Sequence, residues 1–431
     1  MRGYMKLLGK SALLVAACIA VGFALLLAAF ALPTQNMEKN VYASAGVFAE
    51  EGSYPEVDVL GIRSMLSNSS DALMLMSAGY RAADASLIER MVNVYRPLMR
   101  GEDAAQVIVS CYGEGETPDM IVSYGRYWHG YMLTLKPLLS VFNYSQIRVV
   151  NAAVVAALAL WLVVLLWRRQ LKRYILPYGI ALLLINPFAI AQSLHSMSVY
   201  CVYSAASIAF LWKRDWLMPR RDRLLLFFTL TGCLTSYFDL LTFPFISFGV
   251  PAVFYLCCTQ ENWKQALKSL LLMMVSWFVG YVGMWAGKWV LGTLLGGGNL
   301  LEDALQIIRM RTSMSSVTGE SVSLYMLIKR QLYRIISPAL ALAAAYLAVT
   351  GVCFARRAPR QKLAGKAWAP FIALCVLPFV WYVCAANHSY VHAFFTYREL
   401  VITALSGMCL FAKFAAKPHP PALKGEAHPL D

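Results

Sequence analysis

The chain has 431 residues, of which 59% are hydrophobic and only 14% are charged, with a formal net charge of +15. A soluble domain carries about 25% charged residues, so this composition excludes an ordinary soluble protein and predicts an integral membrane protein. The positive charge does not indicate a nucleic-acid partner, because the basic residues collect in short connections between apolar segments.

The chain begins with a basic segment, residues 1–10, followed by a continuous apolar run at residues 11–32. A signal peptide has a shorter apolar core of about 7–15 residues before its cleavage site, although the letters AFA at 29–31 weakly resemble such a site. The length of the run predicts a retained membrane span, with a cleaved signal peptide as the alternative. Either interpretation places the next segment outside the cell.

Residues 33–147 separate the first predicted span from the second and hold most of the acidic residues. A segment of this length is predicted to fold on one side of the membrane, as an outer loop with interfacial helices. The sequence SLIE at 86–89 has the form of a capping box and predicts a helix running toward Arg100. Residues 124–142 have helical spacing interrupted by Pro137, and we expect them at the membrane interface with their aromatic residues at headgroup depth.

Closely spaced apolar segments dominate the rest of the chain, and each is near the roughly 20 residues that a helix needs to cross the hydrocarbon. We predict an all-α membrane protein with about ten transmembrane helices, at residues 11–32, 148–167, 174–193, 197–212, 224–239, 241–258, 270–295, 337–355, 367–386 and 400–416.

Lys and Arg in the short connections set the orientation of a multi-span protein. With the N-terminus inside, the short basic connections all fall on the inner side. This predicts a multi-pass protein of the bacterial plasma membrane with both termini in the cytoplasm. The predicted parts are the inner N-terminus and first span (1–32), an outer loop (33–147), spans two to seven (148–295), a second outer loop (296–336), spans eight to ten (337–416) and an inner tail (417–431).

Four carboxylates are candidates for chemistry. Asp71 ends the sequence NSSD at 68–71 and leads into an apolar helical run, where it can act as a general base or simply as an N-terminal helix cap. Glu50 and Glu51 form the other candidate pair for the base. Asp239 lies at the predicted tight turn between spans five and six, where it either binds substrate hydroxyls or a metal, or serves as a turn carboxylate.

Histidines and basic residues on the predicted outer face are candidates for substrate binding. His388 and His392 have the i, i+4 spacing that aligns two imidazoles on a helix, but no third ligand is adjacent, which favours hydrogen bonding over a zinc site. Arg398 can clamp a phosphate, or instead snorkel to the interface or pair with Glu399. The other members of this set are Arg126, Tyr127, Trp128, His129 and Lys288.

Three stretches, YWHGY at 127–131, NYSQIR at 143–148 and FTYR at 395–398, resemble recurring stretches of uncharacterised membrane proteins of Gram-positive bacteria. That group also tends to show Asn-x-Thr-Asp where this chain has NSSD at 68–71. The overall layout resembles the type C glycosyltransferases of membranes, which are multi-span proteins with a large first outer loop and a catalytic acidic residue in it. That family often keeps its acid close behind the first span, where this chain has Glu38 and the pair Glu50 and Glu51.

The resemblance implies an inverting transfer of a sugar from a polyprenyl-phosphate donor to an envelope acceptor at the outer face. A carboxylate of the first loop would deprotonate the acceptor hydroxyl, and Arg398, with Arg126 or Lys288 as alternatives, would stabilise the departing phosphate. Tyr127 and Trp128 would hold the sugar or the prenyl chain. The expected partners are the lipid-linked sugar donor and membrane lipids, with no nucleic acid. No nucleotide is needed at the outer face, no particular cofactor is implied, and a divalent metal stays open.

Two other classes of function stay open. A transporter or flippase of a lipid-linked substrate would be favoured by charges within spans, broken helices and internal repeats. Lys288 is the main charge inside a predicted span, and no repeat is visible. A non-catalytic envelope assembly protein would account for the outer loop but not for the histidines, arginines and carboxylates at the outer surface. The sequence therefore favours the glycosyltransferase.

Overall fold

The computed structural model describes residues 2–296, 298–357 and 366–415; the predicted inner tail at 417–431 lies outside the described residues. This part of the chain is mostly helical, as predicted. The helices are α1 (Arg2–Phe30), α2 (Gln35–Tyr42), α3 (Ala45–Glu51), α4 (Asn68–Gly79), α5 (Leu87–Asn93), α6 (Ala104–Ile108), α7 (Met132–Leu139), α8 (Tyr144–Arg168), α9 (Ile175–Leu184), α10 (Pro187–Ala191), α11 (Leu194–Leu217), α12 (Arg221–Phe238), α13 (Ile246–Cys258), α14 (Trp263–Leu294), α15 (Leu300–Thr312), α16 (Leu324–Ile335), α17 (Pro338–Arg357), α18 (Ala369–Cys384), α19 (Ala386–Val391), α20 (Ala393–Thr396) and α21 (Leu400–Ala415).

Six helices of the described chain are long and apolar enough to cross a membrane, namely Lys6–Phe30, Tyr144–Arg168, Leu194–Leu217, Trp263–Leu294, Pro338–Arg356 and Ala393–Phe414. Each of the ten predicted segments contains a helix, but four of them hold the helices α9, α12, α13 and α18, which fall outside that group. The ten residues of α9 rise about 15 Å, roughly half of the hydrocarbon thickness. Asn186 follows α9 with its backbone in the left-handed conformation, and Pro187 then begins α10.

Residues 33–147 fold as helices α2 to α7 and two short antiparallel strand pairs, which the prediction of a helical outer loop did not include. Strand β1 (Glu56–Val59) pairs with β2 (Ile62–Met65), and β3 (Arg96–Leu98) pairs with β4 (Met120–Val122). Leu60 and Gly61 both have positive φ, at 56° and 75°, as a two-residue hairpin turn requires. The carboxylate of Asp58 holds this turn by accepting from the backbone N–H of Gly61 at 2.9 Å.

The predicted helix start at Ser86 is confirmed, because the Ser86 hydroxyl accepts from the backbone N–H of Glu89 at 3.2 Å. Its predicted extension toward Arg100 is wrong. The helix ends at Asn93, since Val94 adopts the left-handed conformation with φ of 51° and the chain turns into β3.

The predicted interfacial helix at residues 124–142 is wrong in its first half. Helix α7 begins only at Met132 and contains Pro137. Residues 124–131 form an irregular segment in which the backbone N–H of Gly130 donates to Tyr237 O at 2.8 Å. A Cβ at Gly130 would lie 2.3 Å from the Tyr237 ring, so only glycine permits this approach. The segment is buried against α12 and α14 instead of facing lipid headgroups, because it folds back onto the helix bundle.

The core of residues 33–147 is continuous with the ends of the long helices. Leu26 and Phe30 of α1, Ile147 of α8 and Leu194 of α11 belong to the same buried cluster as Met37 and the apolar face of α4. This region therefore forms one packed unit with the bundle. We call the end of the bundle that it covers the loop end.

The opposite end, which we call the basic end, is held by ion pairs between helix termini. Lys10 pairs with Asp222 at 3.2 Å, and Arg169 pairs with Asp215 at 2.7 Å. Lys413 donates to the carbonyl of Leu256 at 2.6 Å near the end of α13. The predicted orientation assigns this end to the cytoplasm.

Candidate functional site

Asp71 is 1% exposed and lies in the first turn of α4, but Ser67 caps that helix. The Asp71 carboxylate instead accepts from the backbone N–H groups of Leu194 (2.8 Å) and His195 (3.1 Å), the first two residues of α11. It also accepts from the Tyr144 hydroxyl at 2.7 Å and from Nδ1 of His195 at 3.0 Å. The alternative that Asp71 caps its own helix is therefore wrong, since it caps α11 from across the fold.

His195 is the basic group that this arrangement leaves available. Both Asp71 oxygens are engaged, and the hydrogen bond to Nδ1 favours the tautomer with its proton there. Nε2 then carries the lone pair, and its hydrogen-bonding neighbour is the Ser196 hydroxyl at 3.3 Å. A carboxylate that orients a histidine in this way is a common device of general base catalysis. Sequence reasoning missed this pair because 124 positions separate its members, and no local motif marks them.

Glu51 is held by Arg148 in a two-pronged ion pair, with distances of 2.6 and 2.8 Å. Burial by itself raises the pKa of Glu51, but the hydrogen bonds from Arg148 and Asn68 outweigh it and lower the pKa below the ordinary value of 4.5. Arg148 also donates to the Tyr144 hydroxyl at 3.0 Å, so Glu51 and Asp71 belong to one network. Glu51 is thus an ionised anchor, while Glu50 beside it is exposed.

A histidine cluster lies next to this network at the loop end. The His392 ring stacks on Phe395 at 5.1 Å, and Phe395 meets the His195 ring edge-on at 5.5 Å. Nε2 of His392 lies 2.9 Å from the Arg311 guanidinium. Burial, followed by the charges of Arg311 and His195, lowers the pKa of His392 to about 3, so this ring is neutral and accepts from Arg311.

His388 is buried, and neither of its ring nitrogens has a hydrogen-bond partner among the described residues. Burial, followed by the neighbouring His392 ring and the charge of Arg311, holds the pKa of His388 well below its ordinary value. Within the described ranges there is no group of three His, Cys, Asp or Glu that could hold a metal ion. A neutral imidazole with two unused nitrogens can both donate to and accept from a bound hydroxyl.

Arg398 is buried and neither snorkels nor pairs with Glu399, so both of those alternatives are wrong. Its Nε donates to Ile185 O at 2.9 Å, and its guanidinium lies over the Tyr397 ring at 5.2 Å. The Glu399 carboxylate accepts from the backbone N–H of Phe245 at 2.9 Å. The terminal nitrogens of Arg398 make no hydrogen bond to the described residues, so its predicted role as a phosphate clamp stays open.

Asp239 has the geometry of a turn carboxylate. It accepts from the Thr242 hydroxyl at 2.5 Å and from the Thr242 backbone N–H at 3.0 and 3.1 Å. These bonds close the tight turn after α12, as the turn interpretation of the sequence predicts.

The predicted substrate-binding stretch at 126–129 makes internal contacts instead. Arg126 pairs with Asp303 of α15 at 3.3 Å, and Trp128 donates to Met284 O of α14 at 2.6 Å. Tyr127 packs edge-on against Trp285 of α14. Lys288, which lies further along α14 and was predicted to bind substrate with this stretch, donates to Val92 O at 3.1 Å.

Both ring nitrogens of His129 are used, one with Tyr124 O at 2.7 Å and one with the Tyr131 hydroxyl at 2.9 Å. Burial lowers the pKa of His129 to about 3. The hydrogen bond to Tyr124 O opposes this shift, and the nearby Lys288 and Arg126 add to it. The stretch thus fastens residues 33–147 to α14 and α15, and a role in substrate binding has no support from these contacts.

A long apolar groove of about 470 Å³ runs beneath α7, between α8, α11 and α12. One stripe of α11 forms its floor, from Leu194 to Ala209, which corresponds to about 22 Å along the helix. Ala205 on this floor and Leu230 and Leu234 on the α12 wall are exposed. At the loop end, the groove reaches Leu194, whose backbone N–H binds Asp71.

Of the four stretches on which the sequence resemblance rests, three meet around Asp71 and His195. NSSD at 68–71 and NYSQIR at 143–148 share the network of Asp71, Tyr144 and Arg148, and FTYR at 395–398 places Phe395 against His195. The stretch at 127–131 lies apart from it, against α12 and α14. No protein-family model, no curated protein and no solved structure matches this chain. The resemblance to type C glycosyltransferases therefore stays a prediction.

Proposed function

We propose that this chain is an inverting membrane glycosyltransferase that moves a sugar from a polyprenyl-phosphate donor to an envelope acceptor at the loop end. The observation that supports this proposal is the apolar groove that ends beside the Asp71–His195 pair. A prenyl chain lying in the groove would bring its phosphate and sugar to the loop end. The proposal includes ten spans, with both termini and the basic end in the cytoplasm of a bacterial cell.

In the proposed reaction, Nε2 of His195 takes the proton of an acceptor hydroxyl while that oxygen attacks the anomeric carbon of the donor sugar. The bond between this carbon and the phosphate oxygen breaks, and polyprenyl phosphate leaves with the electron pair. Asp71 holds the imidazole in its tautomer and stabilises the imidazolium that forms. The free end of Arg398, or Arg311 beside His392, would stabilise the leaving phosphate.

A flippase of lipid-linked substrates is the second candidate, because the same groove extends about 22 Å into the bundle. The two functions differ in their product. A transferase releases polyprenyl phosphate from the donor, whereas a flippase leaves the donor chemically intact.

The test is release of polyprenyl phosphate by the purified full-length protein in lipid nanodiscs, offered a panel of polyprenyl-phosphate sugars and a cell-envelope extract as acceptor. His195→Ala removes the proposed base and should lower the rate at least 100-fold, the lower range for general base catalysis. Ala205→Trp should block the groove and lower donor binding. The matched controls are Glu114→Gln, at an exposed carboxylate away from the site, and Ala153→Trp, at an exposed position of α8 that does not line the groove.

Full activity in both His195→Ala and Ala205→Trp would overturn the site. Failure of the wild-type protein to release polyprenyl phosphate from any donor would overturn the transferase itself. If the intact donor then crosses the bilayer in a groove-dependent way, the flippase replaces it.

A further inference from the structure

A small polar cleft, separate from the apolar groove, lies where α1 ends, at the opposite end of α4 from Asp71. Ser77 stands six residues after Asp71, about 9 Å along the helix axis. The cleft has a volume of about 280 Å³ including its open mouth, but it is narrow, and only about 10 Å³ of that space admits the centre of a water-sized group. Its walls are formed by Phe30, Thr34, Ser77, Tyr80, Ala82, Arg90, Tyr95 and Lys136.

Lys136 forms the buried wall of this cleft and is 2% exposed. Its ammonium group donates to Ala78 O at 2.7 Å and lies 4.9 Å from the centre of the Phe30 ring. Burial, and then the charge of Arg90, lower the pKa of Lys136 to about 8. In the described part of the chain, no carboxylate oxygen lies within 4.0 Å of a side-chain nitrogen of Lys136 or Arg90. A buried cation without a counter-ion is costly, so the pair calls for an anion.

A purely structural role explains only part of this arrangement. A lysine near the C-terminus of a helix often binds the last carbonyls, as Lys136 binds Ala78 at the end of α4. That bond uses one of the three ammonium donors. It does not account for Arg90, which brings a second positive charge to the same cleft.

Two further donors at the cleft have no partner in the described ranges. The hydroxyl of Ser77, which is 3% exposed, and Nε of Arg90 are both buried without a hydrogen bond. Buried polar groups are hydrogen-bonded in the great majority of cases. The carboxylate at the rim, Glu89, accepts from the Tyr95 hydroxyl at 3.0 Å, and the cleft stays net positive with it included.

We propose that this cleft binds a phosphate-type anion, with one oxygen in the narrow interior against Lys136 and Ser77 and the others at the mouth against Arg90. The narrow part of the cleft accommodates about one water-sized group, so we place a single oxygen there and the rest of the anion at the mouth. The anion is either free phosphate or the phosphate of a lipid headgroup, since α1 ends here. This site does not depend on the proposed sugar transfer.

The first arm of the test measures binding of inorganic phosphate to the full-length protein in detergent by calorimetry, in a buffer without other oxyanions. Arg90→Gln is the main variant, because Arg90 is only partly buried and its replacement leaves the core of α4 and α7 intact. Loss of a charged hydrogen bond should raise the Kd about 10- to 100-fold. Ser77→Ala should raise it by a smaller factor. Arg81→Gln, at an exposed arginine nearby that does not line the cleft, should leave it unchanged.

The second arm measures by native mass spectrometry which lipid stays bound, phosphatidylglycerol or a phosphate-free glycolipid. Saturable binding of inorganic phosphate that Arg90→Gln weakens supports the site for free phosphate. Selective retention of phosphatidylglycerol, lost in Arg90→Gln and without binding of inorganic phosphate, supports the headgroup. The proposal is overturned if neither ligand binds, or if Arg81→Gln weakens binding as much as Arg90→Gln. Sugar transfer enters neither arm, so the two proposals can fail separately.

Discussion

Replacing Asp71 by Asn tests whether this carboxylate holds α11 in place as well as orienting His195. Each carboxylate oxygen accepts from one backbone N–H, Oδ2 from Leu194 and Oδ1 from His195. The hydroxyl of Tyr144 and the imidazole can change from donor to acceptor, but a backbone N–H cannot. An amide therefore leaves one buried N–H without an acceptor, whichever way it is turned.

The cost follows from these contacts. A buried donor without a partner costs about 1–3 kcal/mol, and the lost negative charge at the N-terminus of α11 adds about 0.3–1 kcal/mol. We therefore expect Asp71→Asn to lower the free energy of unfolding by about 1–4 kcal/mol. Reversible chemical unfolding in detergent micelles at pH 7 measures this loss, with Glu50→Gln as the control at an exposed carboxylate.

The same variant should also lose sugar transfer, since His195 is no longer held in its tautomer. Lost transfer with unchanged stability would refute the reasoning. It would mean that Asp71 acts as a free base and that its bonds to α11 contribute nothing. Unchanged stability together with full transfer would also remove the orienting role.

Two further predictions concern packing and pH. Gly232→Ala should destabilise the protein by about 2 kcal/mol or more, because its Cβ would lie 2.0 Å from a backbone oxygen of α14. Gly407→Ala is the control and should be tolerated, because the space around Gly407 is open. Thermal unfolding compares the two variants. The pKa values of His129 and His392 are lowered from 6.5 to about 3, so the unfolded chain binds protons that the folded one excludes. The free energy of unfolding should therefore be greatest above pH 6.5 and fall as the pH drops toward 3. His129→Gln should make this dependence on pH weaker. Equal wild-type stability at about pH 7.5 and at about pH 5 would contradict the lowered pKa values.

The positions of the apolar helices could be predicted, because a long apolar run is itself the signal of a buried or membrane-spanning helix, while the number of ten spans stays a prediction. All ten predicted segments contain helix, and the start of α5 at Ser86 follows from its capping sequence. The orientation of residues 124–131 could not be predicted. Trp128 needs apolar neighbours and one partner for its ring N–H, and a membrane interface and a neighbouring helix satisfy that need equally. The structure supplies the partner from Met284 of α14, a contact that no local pattern encodes.

The carboxylates of the site could be found in the sequence, but their roles depend on distant partners. Glu51 is committed to Arg148, and Asp71 is committed to the N-terminus of α11. All four oxygens of these two carboxylates therefore have hydrogen-bond donors before any substrate arrives, which suits groups that hold the site rigid and poorly suits a free base. The groups that still have hydrogen-bonding capacity are nitrogen atoms. They are the two ring nitrogens of His388, the terminal nitrogens of Arg398 and the lone pair of His195. Chemistry at this end of the bundle should consequently follow the histidines, with the acids setting their geometry.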